Sequence, residues 1–177
     1  MADTISRAAQ SVRSSYARGH RRPLPGYLVT LGAYSTVVGG LTALARARRQ
    51  PLPERVPAGD VVLVGIATHK ISRVLAKDSV TSPLRAPFMR YRQPAGESEV
   101  NEEVRTDSPV RHAVGELVSC PFCLAVWVAT GLTAGLVFAP RLTRLVATTF
   151  TAVAASDFLQ LGYEAARRGV REDEPDR

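Results

Sequence analysis

The chain has 177 residues, with 23 Lys+Arg against 16 Asp+Glu for a formal net charge of +7, and 45% of its residues are hydrophobic. With 13 Gly, 12 Pro and 2 Cys it falls outside the collagen-like, disulfide-rich and wholly disordered classes. Its mean hydropathy of -0.02 resembles that of a soluble protein, but the apolar residues lie in long uncharged blocks with the charges gathered between them.

Residues 23–45 carry no charge. About 20 helical residues cross roughly 30 Å of hydrocarbon, so this block predicts a first transmembrane helix. Ala43-Leu44-Ala45 mimics a signal-peptide cleavage site, but the apolar stretch exceeds the roughly 7–15 residues of a secretory core, so the helix is expected to stay uncleaved. A second helix is expected over residues 60–76. It opens with VVLVGIAT and continues through His69, Lys70 and Arg73, with Lys77 just beyond. A segment of about 25 Å with its basic residues on one face near its end can span by snorkelling; a helix lying on the surface is the alternative.

Ser82-Pro83 has the pattern of an N-cap followed by proline in the first turn, predicting a short helix with Leu84, Phe88 and Tyr91 on one face. Arg85, Arg90 and Arg92 would then meet lipid phosphates, making this central segment interfacial. Residues 93–107 are acidic and poor in apolar groups, which predicts a mobile loop. Ser108-Pro109 repeats the capping pattern, and Val110, Ala113, Val114 and Leu117 follow helical spacing with His112 and Glu116 four apart. That helix is expected to run into a third span over residues 117–139, which are uncharged. A fourth span over 145–163 is interrupted only by Asp157. The basic segment 1–22 and the tail 166–177 are expected to lie outside the bundle, the tail and the first few residues disordered.

With four spans, placing both termini and the central region on the cytoplasmic side puts 17 of the 23 Lys and Arg inside. This predicts a membrane protein with both termini on the inner side. The basic surplus is then an orientation signal and a contact for anionic lipid head groups. Nucleic acid is not an expected partner, because no basic stripe with interleaved aromatics is present.

Cys120-Pro121-Phe122-Cys123 holds both cysteines at the mouth of the third span. Pro121 suits a first helical turn, which puts Cys120 near the N-cap, where free N–H groups and the helix dipole favour a thiolate. Three readings attach to the pair: packing residues, a dithiol that shuttles electrons, or, with His112 or His69 added, a zinc site. No cofactor beyond that zinc possibility is expected. Asp157 and Lys70 stand at similar depth from the inner ends of their helices, so Asp157 is expected to pair with Lys70 or Arg73 inside the bundle. A register-fixing pair and a proton or ion path are the two readings. Gly32, Thr36 and Gly40, then Gly131 and Gly135, then Ala147, Thr151 and Ala155 form small-residue faces suited to close helix packing, within one chain, between copies in a homo-oligomer, or against other membrane proteins. No P-loop, G-x-S-x-G, H-E-x-x-H or dinucleotide-binding glycine pattern occurs, and a non-enzymatic role is expected.

The run from Gly115 to Val128, GELVSCPFCLAVWV, resembles the signature GELLxCxxCxGxW of bacterial membrane proteins grouped as domain-of-unknown-function family 1360. Thr68-His69-Lys70-Ile71-Ser72-Arg73, Asp78 and Leu84-Arg85-Ala86-Pro87-Phe88 resemble that family's earlier half, so the likeness covers roughly residues 60–165. Ala125 stands where the family has Gly. The resemblance implies a small multi-span inner-membrane protein without an established activity, with Gly115, Glu116, Cys120, Cys123 and Trp127 as its signature residues, of which Glu116, Cys120, Cys123 and Trp127 matter together. The expectation is therefore an all-α membrane bundle of three to four transmembrane helices with an interfacial central segment. Three functions are carried forward: a scaffold or assembly component, a thiol redox protein using Cys120 and Cys123, and ion-coupled transport through Asp157.

Overall fold

Proline and small residues set the element boundaries in the computed structural model, which describes residues 15–16, 22–96 and 98–172. Helix α1 spans Leu24–Ala47 and α2 spans Ala58–Lys77. A 3-10 turn over Ser79–Thr81 leads into the four-residue helix α3, Ser82–Arg85. Strands β1 (Met89–Pro94) and β2 (Val100–Val104) pair antiparallel. Helices α4 (Pro109–Ser119), α5 (Pro121–Phe138) and α6 (Pro140–Glu172) complete the chain. Arg7, Arg13, Arg18 and Arg21 of the basic N-terminal segment lie outside the described residues, as do residues 173–177.

Among the described residues, three helices are long and apolar enough to cross a membrane: Leu24–Ala47, Pro121–Phe138 and Pro140–Gly169. The protein is mainly helical, but the all-α expectation needs correction. Residues 89–104 form a β-hairpin where an interfacial segment and a mobile loop were expected. Met89 pairs with Val104, Tyr91 with Glu102 and Pro94 with Val100, with a register shift between Tyr91 and Gln93. Leu84, Phe88 and Tyr91 cannot share a helical face, because the helix stops after Arg85 and Tyr91 stands on a strand. Alternation explains the strand: Val100, Glu102 and Val104 are half-buried in turn along β2, while Asn101 and Glu103 face out.

Cys120 is the N-cap of α5, as the placement of Pro121 in a first helical turn predicted, and its extended backbone (φ -106, ψ 108) separates α4 from a span that begins at Pro121 rather than at residue 117. Proline disfavours the helical conformation of the residue before it, so Pro121 ends α4 and starts α5 in one step. At the other end of the chain, α6 runs past Tyr163 to Glu172, so residues 166–172 are helical where a disordered tail was expected. Arg167 supports the extension by pairing with Glu164 at 3.3 Å and lying 5.9 Å over the Tyr163 ring.

Helix α2 is central and packs against both α5 and α6, whereas α1 packs chiefly on α4. The interior is made of small side chains. Among the described residues, Ala45, Ala67, Ala76, Ala113, Ala147 and Ala154 are buried, joined among large apolar residues only by Met89, while Leu28, Phe122, Leu145, Phe158 and Leu159 are exposed. Close helix approach thus comes from alanines, and the large apolar groups point away from the bundle. In the fourth predicted span the packed face is Ala147, Thr151 and Ala154, with Thr151 Oγ1 donating to the Leu63 carbonyl at 3.2 Å. Gly32 and Gly40 have open space around their Cα atoms, so the small-residue face of α1 is not used within the chain, whereas in α5 Gly131 is open but a Cβ on Gly135 would stand 2.5 Å from Thr143 Oγ1 of α6. Gly26 differs: an added Cβ would collide with the Pro109 carbonyl and stand 2.7 Å from Ala113 Cβ, so glycine is what lets α1 meet α4.

Candidate functional site

Helices α1, α2, α5 and α6 alternate in direction, which gathers three polar clusters at the end where α1 and α5 begin and α2 finishes. The first surrounds the thiols. Cys120 caps α5, its Sγ accepting the Cys123 backbone N–H at 3.3 Å. Both cysteines are free, Cys120 half-buried and Cys123 exposed, with their sulfurs 2.7 Å apart rather than at the bond length of about 2.05 Å. Four residues earlier, Glu116 accepts a hydrogen bond from the Tyr27 hydroxyl, with His112 Nε2 at 3.4 Å and Arg22 Nη1 at 3.7 Å. This carboxylate ties the start of α1 to α4. Among the described residues no three His, Cys, Asp or Glu side chains are grouped closely enough to hold a metal ion, so His112 and His69 are not gathered with Cys120 and Cys123 into a zinc site.

The remaining signature residues serve packing. Gly115 lets α4 approach the hairpin, since a Cβ there would stand 2.5 Å from Val104 Cγ1 of β2 and 3.1 Å from the Phe88 carbonyl. Trp127 meets Tyr34 of α1 edge-on at 5.2 Å, and the Tyr34 hydroxyl lies 3.0 Å from Thr130 Oγ1.

The second cluster is a polar cleft of about 460 Å³ between α2, the hairpin turn and α6. Lys70 Nζ lies 2.6 Å from Asp157 Oδ2. Arg73, the other candidate partner of Asp157, turns instead to Glu99 at 2.7 Å and fastens the hairpin turn to α2. Asp78, at the end of α2, faces the same cleft. Burial pushes its carboxyl above the usual range; Lys70, Arg73 and Arg85 pull against this while Glu99 adds to it.

The third cluster was missed by the sequence reasoning. Arg85, expected at lipid phosphates, is 1% exposed. Its Nε donates to Glu102 Oε2 at 2.6 Å, and its other nitrogens donate to the Leu75 and Asp78 carbonyls and to the Thr81 and Ser82 hydroxyls. One guanidinium thus joins the end of α2, the 3-10 turn, α3 and β2. The only sequence signal available was Glu102 as the polar residue on the inward side of an alternating strand.

Among curated proteins, the chain is 31% identical over 74 residues to "Sporulation protein YjcA" of Bacillus subtilis (strain 168), which covers 39% of this chain and 60% of that protein. The chain therefore spans less than two thirds of that relative's length. No solved structure matches. The model of the family described as "Protein of unknown function (DUF1360)" matches residues 63–163, more than half of the chain, with α1 outside the match, and the protein belongs to that family.

Proposed function

We propose that this protein is a multi-pass bacterial membrane protein that works as a non-enzymatic scaffold, holding the hairpin headpiece on the cytoplasmic face of the inner membrane. The observation that carries this is the distribution of side-chain size: alanines inside, large apolar residues outside on helices long enough to cross a bilayer. In water such a surface would be a liability, whereas hydrocarbon accepts it. The alternating helices put Arg22, the hairpin and α4 at one end and Arg46, Arg48, Arg49 and Arg55 at the other. The excess of basic residues at the first end supports its cytoplasmic placement. In this reading Arg90 and Arg92, both exposed, contact anionic head groups. The free Gly32–Gly40 face of α1 is offered to a second copy or another membrane protein. The likeness to a sporulation protein supports spore formation as the setting.

The test uses single cysteines in a Cys120→Ser/Cys123→Ser background. A membrane-impermeant maleimide should label Gly96→Cys only in inverted vesicles and Pro51→Cys only in intact cells. Labelling of both from one side overturns the topology.

A second reading is favoured by the two free sulfurs at 2.7 Å: a dithiol that is oxidised to a disulfide as a partner is reduced by two electrons. A double-serine variant that fully complements a deletion strain leaves the scaffold. Loss of complementation by either single-serine variant at normal membrane abundance favours the dithiol.

A further inference from the structure

Helix α1 ends in a turn of the kind that glycine usually makes. The Gln50 backbone N–H donates to the Ala45 carbonyl at 2.9 Å and the Arg49 N–H to the Arg46 carbonyl at 3.0 Å, the paired bonds of a Schellman cap. The residue at the centre of such a cap takes the left-handed conformation. Here it is Arg49, at φ 49, the one non-glycine residue with positive φ among those described. Gln50 anchors the turn, its Nε2 donating to the Val137 carbonyl at the end of α5 at 3.0 Å.

Beside this turn a groove of about 250 Å³ opens between the ends of α1 and α5. Leu41, Leu52, Ala134 and Phe138 give it an apolar lining, to which Arg46 and Arg49 add two guanidinium groups. Its other polar side chains, Thr42 and Gln50, are already bonded to the Val38 and Val137 carbonyls. None of its lining residues is acidic. Neither wall has a carboxylate to supply, because the chain holds no acid between Asp3 and Glu54 and none between Glu116 and Asp157. Glu54 stands outside the lining, and Arg46 and Arg49 form no ion pair among the described residues. Arg144, at the same end of the bundle, is by contrast paired with Asp60 at 2.8 Å.

We propose that this groove holds an anionic phospholipid, its phosphodiester accepting hydrogen bonds from Arg46 and Arg49 and one acyl chain lying between α1 and α5. The proposal rests on the membrane reading above, in which this end of the bundle meets the head groups of the leaflet opposite the headpiece. Guanidinium groups match phosphate oxygens in geometry and keep their charge at any physiological pH. A helix dipole favours basic residues in a last turn. It gives no reason for arginine at the one position where glycine would take the backbone conformation without strain, whereas a phosphate ligand does. A zwitterionic lipid carries its own ammonium beside the phosphate and leaves the charge of the two arginines unbalanced.

The full chain in dodecyl maltoside is titrated with dioleoyl phosphatidylglycerol and, separately, with dioleoyl phosphatidylcholine, and bound lipid is counted by native mass spectrometry. Tighter binding of phosphatidylglycerol is expected. Arg46→Gln and Arg49→Gly should each weaken it about fivefold, the worth of one arginine at an anionic lipid surface. Glycine suits the cap at position 49, so that variant keeps its fold. Ala134→Leu, which fills the groove without changing charge, should also weaken binding while the helical circular dichroism is kept. Arg48→Gln and Arg55→Gln, at the same end but outside the lining, should bind as the wild type does. Equal affinity for the two lipids overturns the proposal, as does wild-type affinity in Arg46→Gln, Arg49→Gly or Ala134→Leu. So does an equal loss in Arg48→Gln, which would make the attraction a diffuse one, or displacement of the lipid by inorganic phosphate, which would assign the arginines to a free anion. None of these outcomes bears on maleimide labelling, so the site and the topology fail separately.

Discussion

Arg85 and Glu102 face each other across the headpiece with their side chains 1% and 7% exposed, joined by an Nε–Oε2 contact of 2.6 Å. Seventeen residues apart in sequence, they fix where the hairpin sits relative to α2. Removing one partner leaves a buried charge unpaired, which typically costs about 3–5 kcal/mol. Arg85→Met should therefore loosen residues 78–104 while leaving the long helices formed. Hydrogen exchange should show lost protection confined to the headpiece, and Arg85→Met/Glu102→Leu should recover much of it. Wild-type protection in Arg85→Met alone contradicts the role assigned to the pair.

The Lys70–Asp157 contact at 2.6 Å joins α2 to α6, with side chains 15% and 45% exposed. With Asp157 this exposed, the pair is worth nearer the value of surface pairs, about 0–1 kcal/mol. Asp157→Asn should lower the unfolding midpoint slightly in detergent, and the charge reversal Lys70→Asp/Asp157→Lys should restore it. Proton or cation flux in proteoliposomes should not change in Asp157→Asn; a loss of flux would revive the transport reading.

Asp78 gives a pH dependence of unusual sign for a carboxyl. Its folded value is raised, chiefly by burial, so the folded state holds the proton more tightly than the unfolded chain does. Its favourable contribution is complete below the unfolded value of about 3.9 and is lost as the pH rises through the raised folded value. Asp78→Asn removes this loss. The difference in melting temperature, variant minus wild type, should grow in the positive direction as the pH rises above the unfolded value of about 3.9. A difference that stays flat or falls contradicts the assignment.

Gly26 sits where α1 crosses α4, against the Pro109 carbonyl and Ala113. Gly26→Ala should force the helices apart at a cost of about 1–3 kcal/mol, the range for overpacked sites. Gly32→Ala, with open space around it, should be tolerated for the same added methyl. Thermal unfolding of the two variants side by side decides it, and equal midpoints would sink the claim of a tight crossing at Gly26.

The apolar blocks, Pro121 and the register of Lys70 with Asp157 were legible in the chain because each depends on short-range rules. Charge-free length marks the long helices, proline marks a helix start, and helical rise sets the depth of a side chain. The hairpin was not legible. Its inward residues Val100, Glu102 and Val104 include a carboxylate, which looks like a solvated loop until Arg85 is placed against it. The sequence left Arg73 and Lys70 equal as partners for Asp157, and the tertiary structure separated them by bringing Glu99 to Arg73.

The sequence by itself determined the family, the long apolar helices and the polar ends, because those follow from composition over windows of about 20 residues. Tertiary structure alone decided which small-residue face is packed and which arginine is buried. Those outcomes depend on what a side chain meets across a helix crossing or a turn, a property of contacts between segments distant in the chain.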